Sequence, residues 1–106
     1  MSTGFPHESL DCYRLSVHVA RWVSMSRFPP GDADLADQAR RAARSVTLTI
    51  AEGMAAVGAV RRNHLRIALG SAAETCAVLD LVALPDAAAR QAELRRIGAM
   101  LRRLGG

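Results

Sequence analysis

Leu35-Ala-Asp-Gln-Ala-Arg-Arg-Ala-Ala-Arg-Ser-Val-Thr-Leu-Thr-Ile-Ala-Glu-Gly53 is the segment whose periodicity settles the architecture. At about 100° per residue, Leu35, Ala39, Ala42, Val46, Ile50 and Gly53 fall on one helical stripe, and Gln38, Arg41, Ser45, Thr49 and Glu52 fall on another. One helix therefore carries two ordered faces. A surface helix that had only to stay in solution has no reason to gather an amide, a guanidinium, two hydroxyls and a carboxylate in one line. A second polar group, Gly70-Ser71-Ala-Ala-Glu74, lies downstream in another apolar helical run.

Outward from this segment the chain reads as helix throughout. Phe28-Pro29-Pro30-Gly31 stops a first helix, because proline lacks the amide hydrogen and glycine favours non-helical backbone. Asp32 or Asp34 is placed to cap the second helix, and Gly58 marks the next turn. Pro85 closes the third helix, Asp86 is placed to cap the fourth, and Gly105-Gly106 ends it. The expected helices span about 9–27, 34–54, 60–84 and 86–104, after a flexible N-terminus over 1–8. Leu10, Tyr13, Val17, Ala20 and Phe28 are the expected inward residues of the first helix. No run alternates branched or aromatic residues with polar ones, so no strand is expected. Short connections between four helices predict an all-α, antiparallel up-down four-helix bundle.

With 106 residues the chain suffices for one domain and one core. Half of it is hydrophobic and only 4% aromatic, so Ala, Leu, Val, Ile and Met must fill that core. The formal charge is +4, and all 14 basic residues are arginine. An arginine-only surface fits phosphate, which the guanidinium fork grips bidentately; a GC-rich coding bias leaves the same composition. Cys12 and Cys76 have apolar neighbours and no Cys-x-x-Cys or Cys/His ligand spacing. The start lacks the basic residues and apolar run of an export signal, which makes a cytoplasmic location the expectation. Residues 67–84 hold no Lys or Arg, but Glu74 and Asp80 make a membrane span too costly there.

The third helix has apolar or small residues nearly all round, from Leu65, Ile67, Ala68 and Leu69 to Leu81, Val82 and Ala83. A helix in a lone bundle needs an apolar stripe only a little over ~100° wide. The excess predicts self-association, with Ala68, Gly70, Ala72, Ala73 and Ala77 letting a neighbouring helix come close. A wholly central position within one bundle is the other way to cover it.

These residues resemble the bacterial four-helix-bundle family named after a protein encoded in intervening sequences of large-subunit ribosomal RNA genes. The accessory variability determinant of diversity-generating retroelements shares that fold family. The shared pattern stands here as Leu35, Gln38, Arg40-Arg41-Ala42, Ser45-Val46, Thr49-Ile50-Ala51-Glu52-Gly53 and Ala68-Leu69-Gly70-Ser71-Ala72-Ala73-Glu74, with Phe28-Pro29 closing the first helix. Thr49 replaces the family's usual Asn, and Arg61 and His64 stand where aromatic residues are usual. The resemblance implies a homopentamer of four-helix protomers without established catalysis. For the retroelement branch it implies a basic barrel engaging a reverse transcriptase and nucleic acid.

The polar stripe of Gln38, Arg41, Ser45, Thr49 and Glu52, joined by Glu74, is expected to act as a structural or interface network whose acid and base satisfy each other. A ligand or nucleic-acid site is the alternative, and Glu52 with Glu74 as an acid/base pair is a weaker one. His7, His18 and His64 are scattered, no Glu-x-x-His pair exists, and no glycine-rich loop precedes a Lys-Ser/Thr. No metal, cofactor or enzymatic activity is expected. Arg61, Arg62 and Arg66 at the start of the third helix, and Arg95, Arg96, Arg102 and Arg103 in the fourth, are the candidate phosphate contacts. Arg40 and Arg44 flank the second helix. Without an aromatic platform, binding of RNA or DNA would be electrostatic and weakly selective for sequence. The expectation is a self-assembled, non-catalytic accessory nucleic-acid-binding protein, with a protein–protein adaptor as the alternative.

Overall fold

The computed structural model describes residues 4–106. Four helices account for nearly all of them: α1 (Asp11–Met25), α2 (Ala33–Ala55), α3 (Gly58–Leu81) and α4 (Ala87–Arg103), with no strand among the described residues. Each helix touches two others, α1 with α2 and α4, α3 with α2 and α4, so the four close a ring around one core. Ile50, Leu65, Ile97, Leu101, Val19, Val23 and Val46 are fully buried there.

The α2/α3 contact is the most extensive. Gly53 sits against His64 and Leu65, while Ser45 is bonded to Ser71, so the two helices run in opposite directions. A Cβ at Gly53 would lie 3.0 Å from the His64 Cβ and 3.4 Å from the Arg61 carbonyl oxygen. The glycine closing the Ile-Ala-Glu-Gly segment thus permits the helices to cross closely.

The boundaries depart from expectation for local reasons. Helix α1 begins at Asp11 because residues 5–10 are taken up by turns, with Glu8 N–H bonded to the Phe5 carbonyl (3.1 Å) and Leu10 N–H to that of His7 (3.0 Å). The His7 ring meets Tyr13 edge-on at 4.5 Å, so this part of the expected flexible N-terminus is organised; residues 1–3 of it lie outside the described residues. Helix α1 ends at Met25, where the Ser26 hydroxyl donates to the Trp22 carbonyl (2.7 Å) and competes with the helical ladder. Helix α3 starts earlier than expected, leaving Ala56-Val57 as the whole connection, and stops at Leu81, with Val82 extended and Pro85 disfavouring helix just before it. Neither Asp32 nor Asp86 makes the expected side-chain cap. Asp86 has a left-handed backbone (φ 66°), whereas a capping carboxylate works from an extended one.

The buried face of α1 is also turned from the expected one. Cys12, Ser16, Val19 and Val23 are inside, whereas Leu10, Tyr13, Ala20 and Phe28 pack at its edge and Val17 lines an outer groove between α1 and α2. Ser16 can be buried because its hydroxyl donates to the Tyr13 carbonyl (2.6 Å) and meets the Thr47 hydroxyl at 3.0 Å. Helix α3 buries Leu65, Ala68, Ala72, Thr75, Val78 and Leu79, but Val60 (58%), Ile67 (44%) and Leu81 (69%) stay exposed. No helix among the described residues is long and apolar enough to cross a membrane.

Candidate nucleic-acid interface and polar face

Of the seven candidate arginines, Arg61 has a different task. Its Nε donates to the carbonyls of Ala56 (2.9 Å) and Gly53 (3.3 Å), and Nη2 to that of Met54 (3.4 Å). These carbonyls lie at the end of α2, where the Gly53 carbonyl also accepts the Ala56 N–H (3.1 Å), and a cation there suits the negative end of the helix dipole. In the protomer Arg61 is therefore engaged as a cap on the end of α2.

The other six, Arg62, Arg66, Arg95, Arg96, Arg102 and Arg103, are exposed and form no hydrogen bond or ion pair among the described residues. The chain brings Arg62 toward the α4 end that carries Arg102 and Arg103. Gly106 donates to the Leu101 carbonyl (2.9 Å), and a Cβ on it would lie 3.0 Å from that of Leu65; one on Gly105 would lie 3.9 Å from the Arg62 Cγ. The end of α4 is therefore held over the start of α3. Arg95 and Arg102 also line a groove of about 520 Å³ between α3 and α4, floored by Leu69, Ala73, Cys76 and Gly98. At the far end of this groove, Asp80 accepts a hydrogen bond from Gln91 (2.7 Å). Nothing in the sequence singles out Gln91, since a lone amide in a helix carries no pattern.

Other cations and rings are committed internally. Arg40 lies 5.5 Å from the Phe28 ring centroid and donates to the Ser26 carbonyl (3.3 Å). Arg90 lies over Trp22 and pairs with Glu93, which leaves the single tryptophan engaged from within its own chain. Arg44 remains exposed, its Nε bonded to the Arg40 carbonyl (3.1 Å).

The polar stripe divides in two. Its hydroxyls are bonded within the α2/α3 pair: Ser71 Oγ of α3 donates to Ser45 Oγ (2.9 Å) and Thr49 to the Ser45 carbonyl, while on α3 Thr75 donates to the Ser71 carbonyl (2.8 Å). Its long polar members do not pair within the protomer. Gln38, Arg41, Glu52 and Glu74 are exposed and make no bond among the described residues, because they point outward from the α2/α3 seam. Gly70 lies beside them on α3. A Cβ there would meet nothing within 4 Å, so no contact inside the chain requires this glycine, although glycine in a helix interior costs about 0.5–1 kcal/mol against alanine.

Burial pushes the Cys12 thiol above its ordinary pKa; backbone hydrogen bonds oppose it in part, and the Asp11 charge adds a still smaller upward push. Among the described residues no three His, Cys, Asp or Glu side chains come together as a metal group would need.

An all-helical, four-helix protein with unpaired arginines on α3 and α4 is the class that these features define. More specifically, the chain belongs to the 23S rRNA-intervening sequence protein family, whose model matches residues 8–103. No curated protein matches it.

Proposed function

We propose that this protein is a non-catalytic scaffold of the cytoplasm that assembles from copies of itself and binds RNA or DNA through phosphate. In this reading the protomer is an up-down bundle and the assembly is closed, with five copies as the resemblance implies. A retroelement reverse transcriptase is the protein partner that fits the same resemblance. The observation that carries the nucleic-acid reading is the set of six exposed arginines without acidic partners on α3 and α4, with Arg62 brought near the α4 end that carries Arg102 and Arg103. The family's name, which ties it to an intervening sequence of ribosomal RNA, is compatible with it.

A competing reading, a protein–protein adaptor, draws on the groove between α1 and α2. Met25 (83%) and Leu48 (60%) are exposed at this groove, and Val17 and Ala20 also line it. Titration with salt separates the two. Binding to a generic duplex or single strand through phosphate weakens steeply as salt rises, because condensed counterions are released on binding. Replacing Arg102 and Arg103 together by alanine is expected to weaken binding without regard to sequence and to flatten the salt slope by up to about two. Absence of binding at low salt leaves the adaptor reading.

A further inference from the structure

We infer that the groove between α3 and α4 is a pocket for one unpaired guanine of a nucleic-acid strand, with the phosphate of that nucleotide on Arg95 and Arg102. The inference rests on the nucleic-acid reading above and adds to it one position at which a base is read. The groove holds about 520 Å³, within the roughly 300–1,000 Å³ usual for small-ligand sites. Leu69, Ala73, Cys76 and Gly98 give it an apolar floor, and its two ends carry opposite chemistry.

One end only accepts. The Gln91 amide nitrogen donates to the Cys76 carbonyl (3.0 Å) and to Asp80 Oδ1 (2.7 Å), so both of its hydrogens are used and its oxygen remains an acceptor. Asp80 is exposed and has no cation at pairing distance among the described residues, which leaves Oδ2 as a second acceptor. The other end only donates, through Arg95 and Arg102, both exposed and without an acidic partner among the described residues. Counted along α4 from Gln91, Arg95 stands four residues on and Arg102 eleven, or about 6 and 16 Å at 1.5 Å per residue. A nucleotide with its base edge at Asp80 has its phosphate between those two guanidinium groups, which grip phosphate bidentately.

Guanine is the base that fits the accepting end. Its Watson–Crick edge presents two adjacent N–H donors, which one carboxylate accepts side by side; adenine, cytosine and uracil set an acceptor beside their single donor group, and Asp80 repels it. An alkyl chain in the same groove would strip water from Asp80 and Gln91 and return no hydrogen bond. A paired guanine has its edge already occupied, so the groove selects unpaired strands. The remaining arginines stay indifferent to sequence, and the groove adds selectivity at one nucleotide.

The test compares an oligoadenylate with the same strand carrying one guanosine, by fluorescence anisotropy at fixed salt. The guanosine strand is expected to bind about tenfold tighter, as one bidentate base contact allows. It is also expected to slow alkylation of Cys76 on the groove floor, with buried Cys12 unlabelled throughout. Asp80→Asn keeps an oxygen for Gln91; it is expected to abolish the preference while tightening oligoadenylate, because a negative charge is gone. A merely structural Asp80 would affect both strands in the same direction. Ala73→Phe fills the groove and is expected to abolish the preference at unchanged helical content and molar mass; a fall in mass marks the groove as a contact between copies and overturns the inference. Equal binding of the two strands overturns it and leaves the phosphate reading standing, as does a preference that survives Asp80→Asn or leaves Cys76 as reactive as before. Free guanosine monophosphate that protects Cys76 as well as the strand does overturns the assignment to a strand. Failure of both strands to bind at low salt overturns the nucleic-acid reading and the inference together.

Discussion

Arg61 shows how one side chain changes meaning with the length of a turn. Set with Arg62 and Arg66 it reads as part of a basic patch, yet three carbonyls at the end of α2 receive its guanidinium. The two-residue connection between α2 and α3 sets Arg61 over those carbonyls, a contact that a tally of basic residues does not show. Arg61→Ala is expected to lower the unfolding free energy by about 1–2 kcal/mol, measured by urea titration, while leaving any nucleic-acid affinity per folded molecule little changed. Arg102→Ala should do the reverse. Cys12 offers a second test at this scale. Its folded thiol holds its proton to higher pH than the unfolded chain's, so the stability it contributes is complete below the ordinary thiol pKa and is lost as pH rises through the folded value. The urea midpoint should therefore fall in alkali more for the wild type than for Cys12→Ala. At neutral pH a thiol reagent should label half-buried Cys76 and spare Cys12 until the chain unfolds.

At the scale of the helix, existence and type were legible and the facing was less so. The two stripes of α2 are where the periodicity puts them, with Ala39, Ala42, Val46, Ile50 and Gly53 buried. The sequence of α1 points to Leu10, Tyr13, Val17 and Ala20 as the inward face, but the core takes the neighbouring stripe, on which Ser16 finds two hydrogen-bond partners and can be buried at no great cost. A hydroxyl's partners on another helix are invisible in sequence order. For the same reason the polar stripe of α2 was legible as a stripe but not as two parts. Ser45 and Thr49 settle their bonds within the pair of helices, and Gln38, Arg41 and Glu52 project past it. Gly53 makes the α2/α3 crossing testable. Gly53→Ala forces the His64 Cβ or the Arg61 carbonyl to move, and is expected to cost about 1–3 kcal/mol despite alanine's better helix propensity.

For the whole molecule, the arginines matter through where the helices end. Arg62 of α3 and the last turn of α4 are distant in sequence and adjacent in the fold, and the salt slope of nucleic-acid binding is the measurement that reports them as one patch. Composition alone showed that the cations were arginines. It could not show that Arg40, Arg61 and Arg90 are spent on internal contacts, since a ring or a carbonyl under a guanidinium is a tertiary fact. The apolar residues left outside on α3 were legible in the excess width of its stripe, and Val60, Ile67 and Leu81 remain uncovered in the protomer.

The brief Ala56-Val57 link, clasped by Arg61, also bears on the order of events when the chain first folds. Residues 33–81 form a helical hairpin whose partners lie close along the chain, so its closure sacrifices little chain entropy compared with bringing α1 onto α4. Nucleation belongs in this hairpin. Conservative truncations along its seam, such as Ile50→Val, should slow refolding, whereas Val19→Ala or Ile97→Val should chiefly hasten unfolding.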